Sequence, residues 1–212
     1  MQRFIYIFHQ DAVKRLRFLP ELHTSGHREE ATTLCLCYMD SFAQLICWPK
    51  TTVGKNFVAA ISDFGGDLTF RLVHPLHATR VFSSKKSFWK DLATHIVSLF
   101  PGPNYELLTE TELLAKLEPY LYSKTINPKD ILNELWQTTL ASVVYHYFRN
   151  PAVHGFGAGP GWSFSATTYQ GAPVTGIGFD RLYNVALNLH AELRRRSEAT
   201  GQLCGDDGIL DA

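Results

Sequence analysis

The sequence predicts an all-α protein, a helical bundle with a glycine-rich insertion before its last helix. Apolar residues recur at helical spacing in several long segments between His27 and Leu193, and helix-start signals precede several of these segments. The composition, 45% hydrophobic and 19% charged, is that of an ordinary globular protein. Because no repeat, long linker or composition shift divides the chain, we expect residues 1–212 to form a single domain.

The first third of the chain predicts two helices after an N-terminal extension. Residues 1–26 form this extension, and their sequence is compatible with either strand or helix. Carboxylates in a first turn and apolar residues at helical spacing predict a helix from about His27 to Cys47, ended by Trp48-Pro49. A short helix from about Asn56 to Phe64 should follow, because Gly65-Gly66 then stops it.

Two further helices are predicted in the middle of the chain. Ser87 can cap the first of them, which Pro101-Gly102-Pro103 interrupts. Thr109 and Glu112 have the spacing of a capping box and open the second helix. Pro119 lies inside this second pattern and predicts a kink or an early end.

The longest predicted helix runs from Asn127 to Arg149. Asn127 is a favourable N-cap, Pro128 is favoured at the first helical position, and Asp130 places a carboxylate in the first turn. Apolar residues recur every four residues and predict one continuous buried stripe. The stripe consists of Ile131, Leu132, Leu135, Trp136, Thr139, Leu140, Val143, Val144, Tyr147 and Phe148.

The glycine-rich insertion, residues 155–179, separates this helix from the last one. Within the insertion, Gln170-Gly171 can turn a small β-hairpin. The last helix should be capped by Asp180 and end near Gly201, followed by a frayed tail at 201–212.

Composition limits the partners and the chemistry. The 20 basic residues balance the 20 acidic ones, so contact with a nucleic acid must come from local patches. The four cysteines show no metal spacing, and the pairs His23 with His27 and His74 with His77 have no Cys or carboxylate to complete a tetrahedral site. We therefore expect no metal and no other cofactor. No apolar run approaches the roughly 20 residues that span a bilayer, so we expect a cytoplasmic protein with reduced thiols and no membrane contact.

The segment from Arg149 to His154 carries the groups that RNA cleavage without a metal needs. Pro151 has no N–H and disfavours helical geometry at Asn150, so the helix should stop or kink there. In an unbroken helix, residues five apart point about 140° away from each other, whereas a kink lets Arg149 and His154 converge. Asn150 would then cap a new turn, whose free N–H groups favour a phosphate.

Arg149, Asn150 and His154 resemble the motif of the ribonuclease members of the HEPN (higher eukaryotes and prokaryotes nucleotide-binding) family. In that motif an arginine is followed by Asn, Asp or His, then by three residues and a histidine. The family is an all-helical bundle with the motif at the end of a long core helix. The resemblance covers residues 27–64 and 128–195 best. It implies a metal-independent endoribonuclease and a role as a toxin or defence effector.

The resemblance and the residue types together imply a separate catalytic role for each of the three motif residues. RNA supplies its own nucleophile, the 2′-hydroxyl, and His154 can act as base or acid near neutral pH. Arg149 would hold the scissile phosphate and stabilise its growing charge, and Asn150 would orient the other two or bind phosphate. The products would be a 2′,3′-cyclic phosphate and a 5′-hydroxyl end, and DNA would not be cut.

A single histidine per chain poorly supplies both an acid and a base, and HEPN nucleases generally pair two motifs across a twofold interface. The resemblance therefore implies a homodimer that acts on RNA. It also suggests a supporting residue, Asp40, which can orient Arg149 or can equally lie on a solvated face or bond to nearby backbone. His146 lies one turn before Asn150 on the same side of the helix and can join the site, although a helix-surface histidine is the commoner case. In a toxin branch a tyrosine regulates the site, but Phe156 occupies that position here. An antitoxin of that type is thus not implied, while another antitoxin or regulator stays open.

Two readings of a different class remain open. The chain can be a catalytically inactive module that binds a nucleotide or a partner protein in the same pocket. It can also be an interaction protein whose apolar helix stripes build an oligomer. With no site at all, as in an interaction protein, Arg149 and His154 would only complement the helix dipole.

Overall fold

The computed structural model describes residues 2–47, 52–101, 106–155, 162–163, 167–169 and 172–203. Helices dominate these residues, which confirms the predicted all-α class. The ten α-helices are α1 (Gln2–Thr24), α2 (Arg28–Ile46), α3 (Val53–Phe64), α4 (Pro75–Ser83), α5 (Phe88–Leu99), α6 (Glu110–Ser123), α7 (Pro128–Leu135), α8 (Leu140–Val143), α9 (Asn150–Gly155) and α10 (Phe179–Thr200), counted over the described ranges. Two 3₁₀ segments, Leu68–Arg71 and Trp136–Thr138, and a π-helix, Val144–Arg149, complete the helical part.

Three short strands lie in the glycine-rich insertion. They are β1 (Trp162–Ser163), β2 (Thr167–Tyr169) and β3 (Ala172–Gly176), in the sheet order β1-β3-β2, with β1 parallel to β3. Strands β2 and β3 are neighbours on either side of Gln170-Gly171, and the hairpin stays a prediction. Those two turn residues lie outside the described residues.

Contacts between residues divide the chain into two compact units. The first unit comprises Met1–Asp67, Tyr145–Thr167 and Val174–Ala212, and the second comprises Leu68–Val144 and Thr168–Pro173. The single domain expected from the sequence stays a prediction.

In the first unit, α2 packs against α1, α3 and α10. The N-terminal extension is helical because Ile5, Ala12, Leu16 and Leu19 recur on one face of α1, and that face is buried. The largest fully buried side chains of this unit include Leu16, Leu19, Leu36, Met39, Phe57 and Ile61.

In the second unit, α4 packs against α5, and α6 packs against α5 and α7. Its core consists of Val73, Ala78, Phe82, Leu92, Ala93, Ile96, Leu108, Leu113, Leu117, Leu121, Ile131 and Leu135. Helix α4 was not predicted from the sequence. Pro75 occupies its first turn, and the ring of His74 caps it by accepting a hydrogen bond from the backbone N–H of His77.

Several predicted helix ends are confirmed. Thr109 and Glu112 form both hydrogen bonds of the expected capping box at the start of α6. Gly201 ends α10 in the left-handed region with φ of 69°, as its position in the sequence predicted. Helix α3 begins three residues earlier than expected, because the Thr52 hydroxyl caps it by accepting from the N–H of Lys55. At α10 the N-cap is Gly178, and Asp180 lies in the first turn instead.

The continuous helix predicted from Asn127 to Arg149 is wrong. Helix α7 ends at Leu135, and Thr139 is extended, with φ of −72° and ψ of 163°. The Thr138 carbonyl accepts from the N–H of His74 at 2.9 Å, and Val73 and Thr139 form an antiparallel bridge. These backbone groups pair with the segment before α4, so they are not available to a helical ladder.

Proline effects inside helices are weaker than expected. The sequence predicted a stop or kink between Arg149 and His154, yet helical geometry continues to Gly155. What changes is the winding, which passes from π to α at Asn150, the residue before Pro151. Pro119 likewise lies within α6, which continues to Ser123. None of the helices in the described residues is long and apolar enough to cross a membrane.

Candidate functional site

Asp40, Arg149 and Asn150 come together in the first unit. Arg149 Nη2 donates to Asp40 Oδ2 at 2.6 Å, and Arg149 Nη1 donates to Asn150 Oδ1 at 3.0 Å. The side chains of Arg149 and Asp40 are only 17% and 15% exposed. The cluster is therefore a largely buried ion pair with an amide attached, located where the π-helix becomes α9.

Helix α2 fixes the carboxylate from one side. Asp40 and Gln44 are one turn apart, and Gln44 Nε2 donates to Asp40 Oδ1 at 3.1 Å. The same amide nitrogen donates to the carbonyl of Val53 at 3.1 Å, which ties the pair to the start of α3. Both oxygens of Asp40 thus accept a hydrogen bond, and the carboxylate has a single defined orientation.

Tyr145 supports the arginine from the other side. The guanidinium carbon of Arg149 lies 5.7 Å from the centre of the Tyr145 ring, a cation–π distance. The same ring packs against Phe57, with centroids 5.4 Å apart. Gly54 permits this approach, since a Cβ atom there would lie 2.8 Å from Tyr145 Cε1. Neither Gly54 nor Tyr145 was predicted as part of the site, and Gly54 lies before the helix start expected at about Asn56.

Donors of Arg149 remain available. Arginine has five N–H donors, and the two bonds described above use one from each terminal nitrogen. Nε is buried and has no hydrogen-bond partner within the described residues. Nε is closed to solvent, so the donors that remain for a ligand are the second N–H groups of Nη1 and Nη2.

Cys37, one turn before Asp40, is not an activated thiol. Burial raises its pKa above the ordinary value, nearby Arg149 lowers it, and Asp40 raises it again. The thiol stays protonated at neutral pH, and a protonated thiol is a poor nucleophile. Cys35, Cys37 and Cys47 are all free cysteines.

The structure describes the side chain of only one of the two histidines expected at the site. His146 is exposed on the π-helix, and its ring meets the Tyr145 ring edge-on at 5.2 Å, so it is linked to Arg149 through that ring. His154 belongs to α9, five residues after Arg149, but its side chain lies outside the described residues. The pairing of Arg149 with His154 stays a prediction.

The histidine pairs with near-ligand spacing have other contacts. His77 Nε2 is 3.3 Å from Ser142 Oγ, and the His23 ring stacks on Phe179 with centroids 4.2 Å apart. His27 lies 3.7 Å from a carboxylate oxygen of Glu30. Over the described ranges, no group of three or more His, Cys, Asp or Glu side chains is placed to hold a metal ion.

Comparison with protein-family models, with curated proteins and with solved structures finds no match for this chain. The resemblance to the HEPN family therefore depends on the motif at Arg149, Asn150 and His154 and on its helical setting. Membership of that family stays a prediction.

Proposed function

We propose that this protein is a metal-independent endoribonuclease whose site is built around Arg149, Asn150 and His154. The observation that carries the proposal is the largely buried cluster of Asp40, Arg149 and Asn150, which holds a guanidinium in one orientation five residues before a histidine. Cleavage of RNA through its own 2′-hydroxyl needs at least a cation that holds the phosphate and a titratable group that takes the proton. Arg149 and His154 are residues of these two types.

Arg149 acts as the phosphate holder. Its charge is balanced by Asp40, so its contribution comes from directed N–H groups as much as from net charge. Nη1 and Nη2 each carry a second N–H besides the one bonded to Asn150 or Asp40, and these second N–H groups are the donors for a nonbridging phosphate oxygen. Asp40 and Gln44 are positioning residues, since they act on the phosphate only through Arg149.

His154 supplies the proton transfers. As a neutral imidazole it removes the proton of the 2′-hydroxyl, and the 2′-oxygen attacks phosphorus. The bond from phosphorus to the 5′-oxygen breaks, and that oxygen takes a proton from a second acid. The products are a 2′,3′-cyclic phosphate and a 5′-hydroxyl. A homodimer in the cytoplasm would supply the second acid as His154 of the other copy, and an antitoxin or regulator would control access.

The test uses labelled single-stranded RNA in EDTA. The wild type should cut it and leave cyclic phosphate ends, and Arg149→Ala and His154→Ala should each lose activity by about 100-fold or more. Arg194→Ala and His27→Ala, which change exposed residues, serve as matched controls that keep activity. Intact RNA with the wild type across several substrates, or equal cutting by all variants, would overturn the proposal.

A catalytically inactive module that binds a nucleotide or a partner protein is the second candidate. Its supporting observation is that both terminal nitrogens of Arg149 are already bonded within the chain, as in a structural ion pair. In that case the wild type should bind nucleotides without cutting RNA, and His154→Ala should bind them equally well.

A further inference from the structure

The outer face of α1 carries large apolar side chains in contact with solvent. Phe4, Ile7 and Phe18 are 63%, 48% and 53% exposed, whereas Leu16 is fully buried on the face that packs against α2 and α10. At about 100° per residue, Phe18 points about 160° away from Leu16. Single apolar side chains are ordinary at a surface, but several on one side of a helix form a face that a partner can cover.

These side chains belong to a stripe with the spacing of a coiled coil. Steps of three and four residues alternate along it, which is the pattern that keeps one face of a helix turned toward a partner helix. The stripe, called the α1 seam below, consists of Phe4, Ile7, Asp11, Lys14, Phe18 and Glu21, all of them exposed. At about 1.5 Å per residue it is about 26 Å long. The α1 seam therefore has the length and the period of a helix–helix contact.

The α1 seam is complementary to itself in an antiparallel pair of two copies. A twofold axis through the middle of the seam places residues that are equally distant from it at the same height. Ile7 then meets the partner's Phe18, and Asp11 meets the partner's Lys14. The symmetry repeats both contacts. An apolar contact and an ion pair thus face each other on both sides of the axis.

The charges select the antiparallel arrangement. Asp11 and Lys14 are 55% and 76% exposed, and within one chain they form only a loose pair at 3.8 Å, so both can reach a partner. A parallel pair would place Asp11 against the partner's Asp11 and Lys14 against the partner's Lys14, and like charges in contact are unfavourable. An anionic surface, such as a membrane or RNA, would be repelled by Asp11 and Glu21 within the seam.

We propose that the α1 seam is an interface through which two copies of this chain associate as an antiparallel pair of helices. The contacts of Ile7 with the partner's Phe18 remove apolar surface from water, and the paired charges set the direction and register. One helix from each copy makes a small interface, so the dissociation constant should lie between about 1 and 100 µM. The interface is argued from α1 alone and does not depend on the proposed nuclease activity.

The first test is sedimentation equilibrium of the full-length protein without RNA. The wild type should pass from monomer to dimer as its concentration rises, and Phe18→Glu should weaken the association at least about tenfold. Tyr122→Glu, which changes a side chain of α6 that is 89% exposed, is the matched control and should associate like the wild type. A monomer at every concentration up to about 300 µM would overturn the proposal, as would a dimer that Phe18→Glu leaves intact.

The second test exchanges the charges of the seam. Asp11→Lys and Lys14→Asp each place like charges opposite one another at both ion pairs, so each variant alone should associate at least about tenfold more weakly than the wild type. In an equal mixture of the two variants, opposite charges face each other again at both places. The mixture should therefore form a heterodimer with close to the wild-type affinity.

Controls separate this result from effects on folding and on net charge. Circular dichroism should show that Asp11→Lys and Lys14→Asp keep the helical content of the wild type, because both positions are exposed. Lys129→Asp, an equal change of charge at an exposed position of α7, should associate like the wild type. Variants that still form dimers alone, or folded variants that stay monomeric when mixed, would contradict the antiparallel pairing of Asp11 with the partner's Lys14.

Discussion

Asp40 and Arg149, 109 residues apart in the sequence, are joined by a hydrogen-bonded ion pair of 2.6 Å. The pair connects the middle of α2 to the end of the π-helix, and both side chains are largely buried. A guanidinium held in this way loses little freedom when it meets a phosphate, which is the property required of a preorganised site. The same pair also contributes to the stability of the first unit, so the two roles need separate tests.

Replacing Asp40 should destabilise the protein. Asp40→Ala leaves the buried charge of Arg149 without its partner, and the free energy of unfolding should fall by about 3 kcal/mol. Urea denaturation measures this change. Glu198→Ala, which removes the partner of the exposed Arg194, is the matched control and should cost less than about 1 kcal/mol. Similar small losses in both variants would show that Asp40 and Arg149 do not form a buried pair.

A double variant separates the lost pair from the unpaired charge. Asp40→Ala combined with Arg149→Ala removes both charges, so it should be destabilised by less than the sum of the two single variants. The comparison uses the same denaturation measurement. Strict additivity would mean that the two side chains are not coupled.

Gly54→Ala should destabilise the protein by about 1–3 kcal/mol, because the added methyl group overlaps the ring of Tyr145. The sign is informative, since alanine in an unobstructed helix position stabilises by roughly 0.5–1 kcal/mol. In a Tyr145→Leu background the overlap disappears, and Gly54→Ala should become neutral or stabilising. Thermal or urea unfolding of the four proteins decides it, and a stabilising Gly54→Ala in the wild-type background would contradict the contact.

The reactivity of Cys37 should report the charges of the cluster. Arg149 lowers the pKa of this thiol and Asp40 raises it, although burial is the larger cause of its raised value. Arg149→Ala should therefore slow alkylation of Cys37 at mildly alkaline pH, and Asp40→Asn should accelerate it. Mass spectrometry of alkylated peptides gives both rates, with Cys47 as the internal reference. Shifts of the same sign in both variants would rule out this charge arrangement.

Stability should decrease in mild acid because of His74. Burial, with a further contribution from the charge of Arg80, lowers the pKa of this histidine to about 4. In the unfolded chain this histidine binds a proton near pH 6.5, whereas in the folded protein it stays neutral down to about pH 4. The free energy of unfolding therefore has its full value above about pH 6.5 and decreases as the pH falls from about 6.5 to about 4. The loss amounts to roughly 3 kcal/mol for this group.

The check is the pH profile of the free energy of unfolding in the wild type and in His74→Asn. Asparagine keeps a capping oxygen for α4 but does not titrate, so the profile of the variant should be flatter between pH 4 and 6.5. Identical slopes in the two proteins would show that His74 is not the group responsible.

Local signals in the sequence predicted the elements that local forces build. The capping box of Thr109 with Glu112 and the end of α10 at Gly201 need only neighbouring residues, and both were found as expected. The break at Thr138 and Thr139 was missed because its cause lies more than sixty residues earlier, in the backbone of the segment that ends at His74. The four-residue spacing of apolar residues continues across this break, so the spacing alone does not indicate that the helix ends there.

The candidate site divides in the same way. Arg149 and Asn150 are recognisable from the sequence pattern, and Asp40 could be named only through the resemblance to a family. Gln44 and Gly54 could not be anticipated, since an amide that joins Asp40 to α3 and a glycine that admits a tyrosine ring depend on how distant helices pack.

The most direct measurement of the central claim is cleavage of an RNA that carries a single 2′-deoxy substitution at a mapped cutting site, in EDTA, by the wild type and by His154→Ala. We predict that the wild type cuts the unmodified RNA to a cyclic phosphate end and does not cut the RNA at the deoxy position. His154→Ala should cut neither of the two RNAs at this site. Cutting at the deoxy position, or undiminished cutting by His154→Ala, would contradict a mechanism in which this histidine activates the 2′-hydroxyl.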